Sequence, residues 1–157
     1  MGDFLNQQNL FDEMISQAID LIYRKLSLDY VLLWIVEDDS RILYKGIGRK
    51  LNILIVQQEK VDLQIDGDIV DRVISSKDHV IVRQSPPKED ILKSHDTFPE
   101  TRSILALPLF ASASIIGVLE LGSAIPIDFR EDEIDVFEFL AYQMAKILVS
   151  RSSQTTS

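Results

Sequence analysis

The chain has 157 residues, 46% apolar and 26% charged, with a formal net charge of −9, six glycines and no cysteine. This is the size and mix of one folded domain, and its acidity opposes autonomous binding to phosphate backbones or anionic lipid. Without thiols there can be no disulfide, thiolate metal site, thiol nucleophile or thioether-linked cofactor. The opening MGDFLNQQNL lacks the form of a signal peptide, and no apolar run reaches the roughly 20 residues of a membrane span. The expectation is a cytoplasmic chain with no membrane or nucleic-acid partner.

From Asn9, the residues Leu10, Phe11, Met14, Ile15, Ala18, Leu21, Ile22 and Leu26 recur at steps of three and four and predict a first helix. Asp12 and Glu13 fall early in it and Arg24 and Lys25 late, as the helix dipole favours. Residues 3–9 either extend this helix or lead into it. Residues 29–36, DYVLLWIV, are apolar on both alternating faces, the mark of a strand covered on both sides. Glu37 to Ser40 then turns the chain, and residues 41–48 return as the antiparallel partner.

The middle is less regular. Residues 53–56 and 61–65 are short β-like runs with no clean turn between them. Residues 67–76 have helical spacing, and residues 79–83 form a β-branched strand. Residues 84–102, carrying Pro86, Pro87 and Pro99, are expected as a loop with a short helix near 90–93. A second hairpin follows, from residues 103–110 and 114–121, with Pro108 marking an edge or irregularity. Asp128 and Glu131 are spaced as N-cap and capping box for a last helix. There Ile134, Phe137, Ala141, Met144 and Leu148 form one apolar stripe, and Val136, Leu140 and Ile147 a second. Residues 151–157 form a polar tail expected to fray, which suits an excised domain and a stand-alone protein equally. The layout is α+β, one mainly antiparallel sheet with terminal helices able to cover one face.

SILALPLF, SIIGVLEL, and Phe129 followed by Asp132 and Glu133 resemble three GAF-family motifs: the "SxLxxPL" strand, the "xxIGVLEL" strand and the "F-x-x-x-[DE]" helix start. DYVLLWIVEDDSRILYKGIG resembles the family's first hairpin, and VDLQIDGDIVDRVISSKDHVIV its middle, with Gly67 at the expected glycine. The likeness runs over residues 5–150 and accommodates Pro108, since members often carry a proline there. It implies a single GAF domain over 1–157, a PAS-related twisted antiparallel sheet. The N- and C-terminal helices would pack on one face, with loops and short helices forming a ligand pocket on the other. It also implies a non-catalytic signal-transduction sensor that binds a small molecule or a partner domain and transmits through a helical dimer. The alternative is a ligand-free dimerisation module within a larger histidine kinase, cyclase, phosphatase or transcription regulator.

Several chemistries within the family are disfavoured by the residues present. Cyclic-nucleotide-binding members carry Asn-Lys where Ser123-Ala124 stands, and Phe129 and Asp132 read equally as helix-start packing and dipole compensation. Covalent bilin attachment and methionine sulfoxide reduction both need cysteines. His79 and His95 are the only imidazoles, and a lone loop histidine is more often solvated than a haem ligand, so no cofactor is expected. No metal is expected either, because no His-x-x-His, Glu-x-x-His or carboxylate cluster with ligand spacing occurs. Neither a nucleophile elbow nor a phosphate-cradling loop is present, so no catalytic residue is assigned and the chain is expected not to be an enzyme.

The polar candidates for a pocket rim are His95, Asp96, Thr97, Arg102 and Glu120. Arg102 offers a forked donor to an anion, and Glu120, mid-strand among apolar neighbours, must meet solvent or a partner. In the plainer alternative Glu120 points outward and Arg102 ends a loop. The double stripes of the terminal helices exceed what one sheet face requires, which points to an interface. A homodimer through Phe11, Ile15, Ile22, Val136, Leu140 and Ile147 is expected, the alternative being a wholly internal helix layer.

Overall fold

The computed structural model describes residues 2–38, 40–48, 60–62, 69–83, 101–125 and 129–155. In chain order these form α1 (Gly2–Leu26), β1 (Tyr30–Val36), β2 (Ser40–Gly48), β3 (Lys60–Asp62), α2 (Ile69–Ser76) and β4 (Val80–Arg83), then β5 (Ser103–Ala111), β6 (Ser114–Ser123) and α3 (Glu131–Thr155). The strands make one sheet in the order β3-β2-β1-β6-β5-β4, antiparallel at every junction. The first helix begins at Gly2, so residues 3–9 extend it. The expected strand over 53–56 and the loop and short helix over 84–100 lie outside the described residues. No described helix is long and apolar enough to cross a membrane.

The two apolar faces of β1 explain the layering. Val31 and Leu33 join Leu105, Leu107, Leu109, Leu119 and Leu121 beneath α1 and α3. Tyr30, Leu32 and Trp34 join Ile104, Ala106 and Val118 beneath α2. The sheet is therefore covered on both sides, terminal helices on one face and α2 on the other, as alternation on a doubly buried strand requires. Pro108 pairs with Val118 of β6 but lies past the last β4 rung at Val80–Ala106, so it breaks no bond to β4.

A bulge in β2 changes which layer its side chains serve. Leu33 faces Lys45 while Trp34 faces Leu43, which leaves Tyr44 as the extra residue. Side chains alternate across a strand, and one inserted residue reverses the alternation. Ile47 and Tyr44 accordingly pack under the terminal helices, whereas Leu43 packs under α2. The Tyr44 hydroxyl donates to Asp12 of α1, tying the bulge to the helix layer.

The start of α3 corrects one expectation. Arg130 stands at its N-cap: the Arg130 carbonyl accepts from the Ile134 N–H at 2.9 Å, and Glu133 Oε1 accepts the Arg130 backbone N–H at 3.1 Å, while Asp128 lies outside the described residues. That is the reciprocal half of a capping box, with Glu133 at the third helical position, two residues later than the Asp128–Glu131 spacing proposes. Helix α3 then runs on through residue 151 to Thr155, into the polar tail.

Candidate functional site

A line of polar side chains crosses the α2-facing side of the sheet, where apolar packing alone would be expected. Its centre is Glu120 on β6, fully buried. The β1–β6 register sets Glu120 opposite Leu32, so Tyr30 and Trp34, two residues to either side, are its diagonal neighbours on the same face. Tyr30 Oη donates to Glu120 Oε2 at 2.7 Å and Trp34 Nε1 donates to Oε1 at 3.1 Å. A carboxylate in an apolar layer is tolerated only when its oxygens accept hydrogen bonds, and the spacing of DYVLLWIV supplies two donors at the correct separation.

Gly122 makes this possible. A Cβ on Gly122 would stand 2.1 Å from the Tyr30 ring, so only glycine lets the ring lie across β6 and reach Glu120.

Beyond Trp34 the line continues into β2 and α2. The Arg41 guanidinium sits 4.7 Å from the centroid of the Trp34 ring, within cation–π range. Arg41 Nη1 lies 3.4 Å from Asp71 Oδ1 of α2, and the two residues are 4% and 7% exposed. The Tyr44 bulge places Arg41 here, because without the reversal it would face the terminal helices. Asp71 falls on the buried side of a helix whose other inward residues are Ile69, Val70 and Val73. The result is a line of charged and aromatic side chains, Asp71–Arg41–Trp34–Glu120–Tyr30, built from four elements.

Of the rim candidates, Glu120 lies at the centre of this network, facing inward rather than to solvent. Arg102 is half-buried, and its backbone N–H closes onto the Ser123 carbonyl at 2.8 Å. It flanks the first β5–β6 rung and makes none of the contacts that join the five residues. His95, Asp96 and Thr97 lie outside the described residues. Sequence reasoning missed Tyr30, Trp34, Arg41 and Asp71. No local signal marks the charged pair: Arg41 stands at the start of its strand beside the acidic turn, and Asp71 falls about 60° outside the arc of Ile69, Val70, Val73 and Ile74 at 3.6 residues per turn.

The helix-start residues serve the helix. Phe129 is buried, edge-to-face with Phe137 at 6.5 Å, Asp132 pairs with Arg130, and Glu133 caps α3. Two of the expected interface residues also change role. Ile15 and Ile22 are enclosed in the chain's own core, because α1 turns that stripe onto the sheet and α3. Phe11, Leu140 and Ile147 are half-buried, and Val136 is 58% exposed. Among the described residues of α1, the large apolar side chains left in solvent are Leu10, Met14 and Leu21.

A family model for the GAF domain matches residues 8–149, and the chain belongs to the GAF family. No curated protein matches the sequence significantly. Among solved structures, the GAF domain of a phosphoenolpyruvate-protein phosphotransferase from Coxiella burnetii is similar, with a TM-score of 0.72, 15% identity, and coverage of 98% of this chain and 97% of that one. The GAF domain of a two-component sensor histidine kinase from Bacillus halodurans gives 0.68 and 17%, covering 88% and 93%. The type II free methionine-R-sulfoxide reductase from Thermoplasma acidophilum gives 0.71 and 16%, covering 92% and 95%.

The last similarity overturns one expectation from the sequence. This fold is also the fold of enzymes, so the GAF resemblance does not make the chain non-catalytic. The absence of cysteine in these 157 residues removes thiol chemistry and leaves other chemistry open.

Proposed function

We propose that this GAF domain is a regulatory sensor module. The α2-facing side receives a small molecule or a partner domain, and helices α1 and α3 carry the response to a second copy. One observation supports this reading above others. The polar line from Asp71 to Glu120 lies on one face of a sheet whose opposite face holds the two terminal helices, so both layers share the strands β1 and β6. A ligand that draws on Glu120, Trp34 or Arg41 would shift the same strands on which α1 and α3 rest.

The helical output surface has a regular form. Leu10, Met14, Gln17 and Leu21 lie within an arc of about 60° on α1 at 3.6 residues per turn. On α3, Val136, Leu140, Gln143 and Ile147 repeat the same 4-3-4 spacing. Each seam is apolar with a glutamine in third place, the arrangement by which a polar residue fixes register in a helical bundle. A second copy of the chain fits this surface, since matching seams on both helices form a self-complementary patch.

A second reading, a dimerisation module without ligand, draws on a separate observation. Tyr30 and Trp34 already donate to both oxygens of Glu120, so the chain itself fills part of the inner face. Native mass spectrometry of the purified protein separates the two. A dimer carrying a mass released on denaturation supports the sensor, and a ligand-free dimer favours the dimerisation module. A monomer at micromolar concentration removes the helical output from both.

A further inference from the structure

A different set of residues, away from the Glu120 network, gathers three metal-type donors. The turn after α2 passes through Lys77 in the left-handed region, at φ 57°, and carries Asp78 and His79 to the flank of α3. His79 Nδ1 lies 2.9 Å from Glu138 Oε1 and 3.2 Å from Asp78 Oδ1. One donor atom from each residue lies within 4.8 Å of the other two. Asp78 Oδ1 also accepts the His79 backbone N–H at 2.8 Å, which holds that carboxylate beside the imidazole. The three residues line an open surface pocket of about 250 Å³ that Phe110 and Tyr142 also line.

We propose that Asp78, His79 and Glu138 bind a divalent transition-metal ion, with Zn²⁺ the best match. One imidazole with two carboxylates is a donor set that Zn²⁺ accepts, and the imidazole disfavours the oxygen-seeking Mg²⁺ and Ca²⁺. At metal–ligand lengths of about 2.1 Å, donors around a tetrahedral ion stand about 3.4 Å apart. The observed separations of 2.9 and 3.2 Å need to open only slightly, and all three side chains are partly exposed and can move. Two carboxylates supply the negative charge a cation requires, and the ion would displace the proton that the imidazole nitrogen shares with them. Three protein ligands leave a fourth position for water, facing the cavity.

The site is open to solvent and carries no thiolate, so it would bind exchangeably rather than as a permanent staple. Its position gives it a consequence. Glu138 lies on α3 and His79 on the connection between α2 and β4, so an ion bridging them ties the two layers together at the β4 edge. The pairing was not legible from ligand spacing, since 59 residues separate His79 from Glu138.

The test is calorimetric titration of ZnCl₂ into untagged, chelator-stripped protein near neutral pH. One ion per chain is expected, with binding weakened more than about tenfold by His79→Ala and by Glu138→Gln, a loss that even outer-shell changes can cause. Both substitutions lie at partly exposed positions, and unchanged circular dichroism would establish that the variants are folded. A Zn²⁺-dependent rise in Tm in the parent, lost in both variants, is the second expected readout. The proposal is overturned if the parent binds no Zn²⁺, or if both variants bind it as the parent does, which would place the ion elsewhere on the acidic surface.

Discussion

Across the β1–β6 ladder the Tyr30 hydroxyl reaches Glu120 at 2.7 Å, although Tyr30 is paired with Gly122 and Glu120 with Leu32. The contact is diagonal and depends on the ring lying over a residue with no side chain. Tyr30→Phe keeps the ring and removes the donor. Removing one partner of a buried hydrogen bond typically costs about 1–3 kcal/mol, so this variant should lose stability in that range in urea unfolding. Glu120→Leu should cost more, because the buried Tyr30 and Trp34 donors both lose this acceptor.

Gly122→Ala tests the same relationship from the other strand. The added methyl collides with the Tyr30 ring and forces a movement in a packed layer, at a cost of about 1–3 kcal/mol or more. Thermal unfolding should show the loss. Combining the change with Tyr30→Ala, which removes the ring, should be less destabilising than the sum of the two single changes.

The Arg41–Asp71 pair makes a sharper prediction. Removing one member of a buried ion pair leaves an opposite charge in a low dielectric and typically costs about 3–5 kcal/mol, whereas replacing both by apolar residues can be neutral. Asp71→Leu alone should be strongly destabilising, and Arg41→Met with Asp71→Leu should recover most of the loss. A double-mutant cycle by chemical denaturation measures the coupling.

Trp34 is the only tryptophan in the chain, and it lies between Glu120 and Arg41. Any ligand that enters the network should therefore change its intrinsic fluorescence. Screening metabolites by this signal, with Glu120→Gln as the control, should identify compounds whose response the substitution abolishes.

The helical seams predict oligomeric state. Leu21→Glu and Val136→Glu place charge at exposed positions, so each should dissociate a dimer in sedimentation velocity while leaving the circular dichroism spectrum unchanged. Ile15→Glu should instead unfold the chain, since Ile15 is fully buried.

The hairpins were legible because the continuous apolar run of DYVLLWIV with its acidic turn, and the paired runs at residues 103–110 and 114–121, are local signals. That β1 is covered on both sides was legible from its two apolar faces, whereas which residues serve which layer emerges only from the packing. What could not be read locally was everything set by partners far along the chain. Glu120 was recognised as needing a partner, but only the β1–β6 register identifies Tyr30 and Trp34. On α1 the apolar arc spans about half the helix at 3.6 residues per turn. The pattern marks a wide greasy face without saying which edge the sheet takes, so it does not distinguish the buried Ile15 stripe from the exposed Leu10, Met14 and Leu21. The cap of α3 slipped by two residues because Asp128–Glu131 and Arg130–Glu133 have the same spacing, and an acidic residue makes the better-looking cap.

The extra residue at Tyr44 has a consequence for how this domain tolerates change in length. One half of β2 supplies Ile47 to the helical layer and the other supplies Arg41 to the opposite layer, so the strand is split in its allegiance at a single position. Deleting Tyr44 would swing residues 40–43 to the other side of the sheet, turning a guanidinium into the leucine-rich core and withdrawing the counter-charge from Asp71. An insertion at the exposed Ser112 tip of the β5–β6 hairpin would disturb neither layer. The indel-sensitive point of this fold is thus a mid-strand tyrosine rather than a turn.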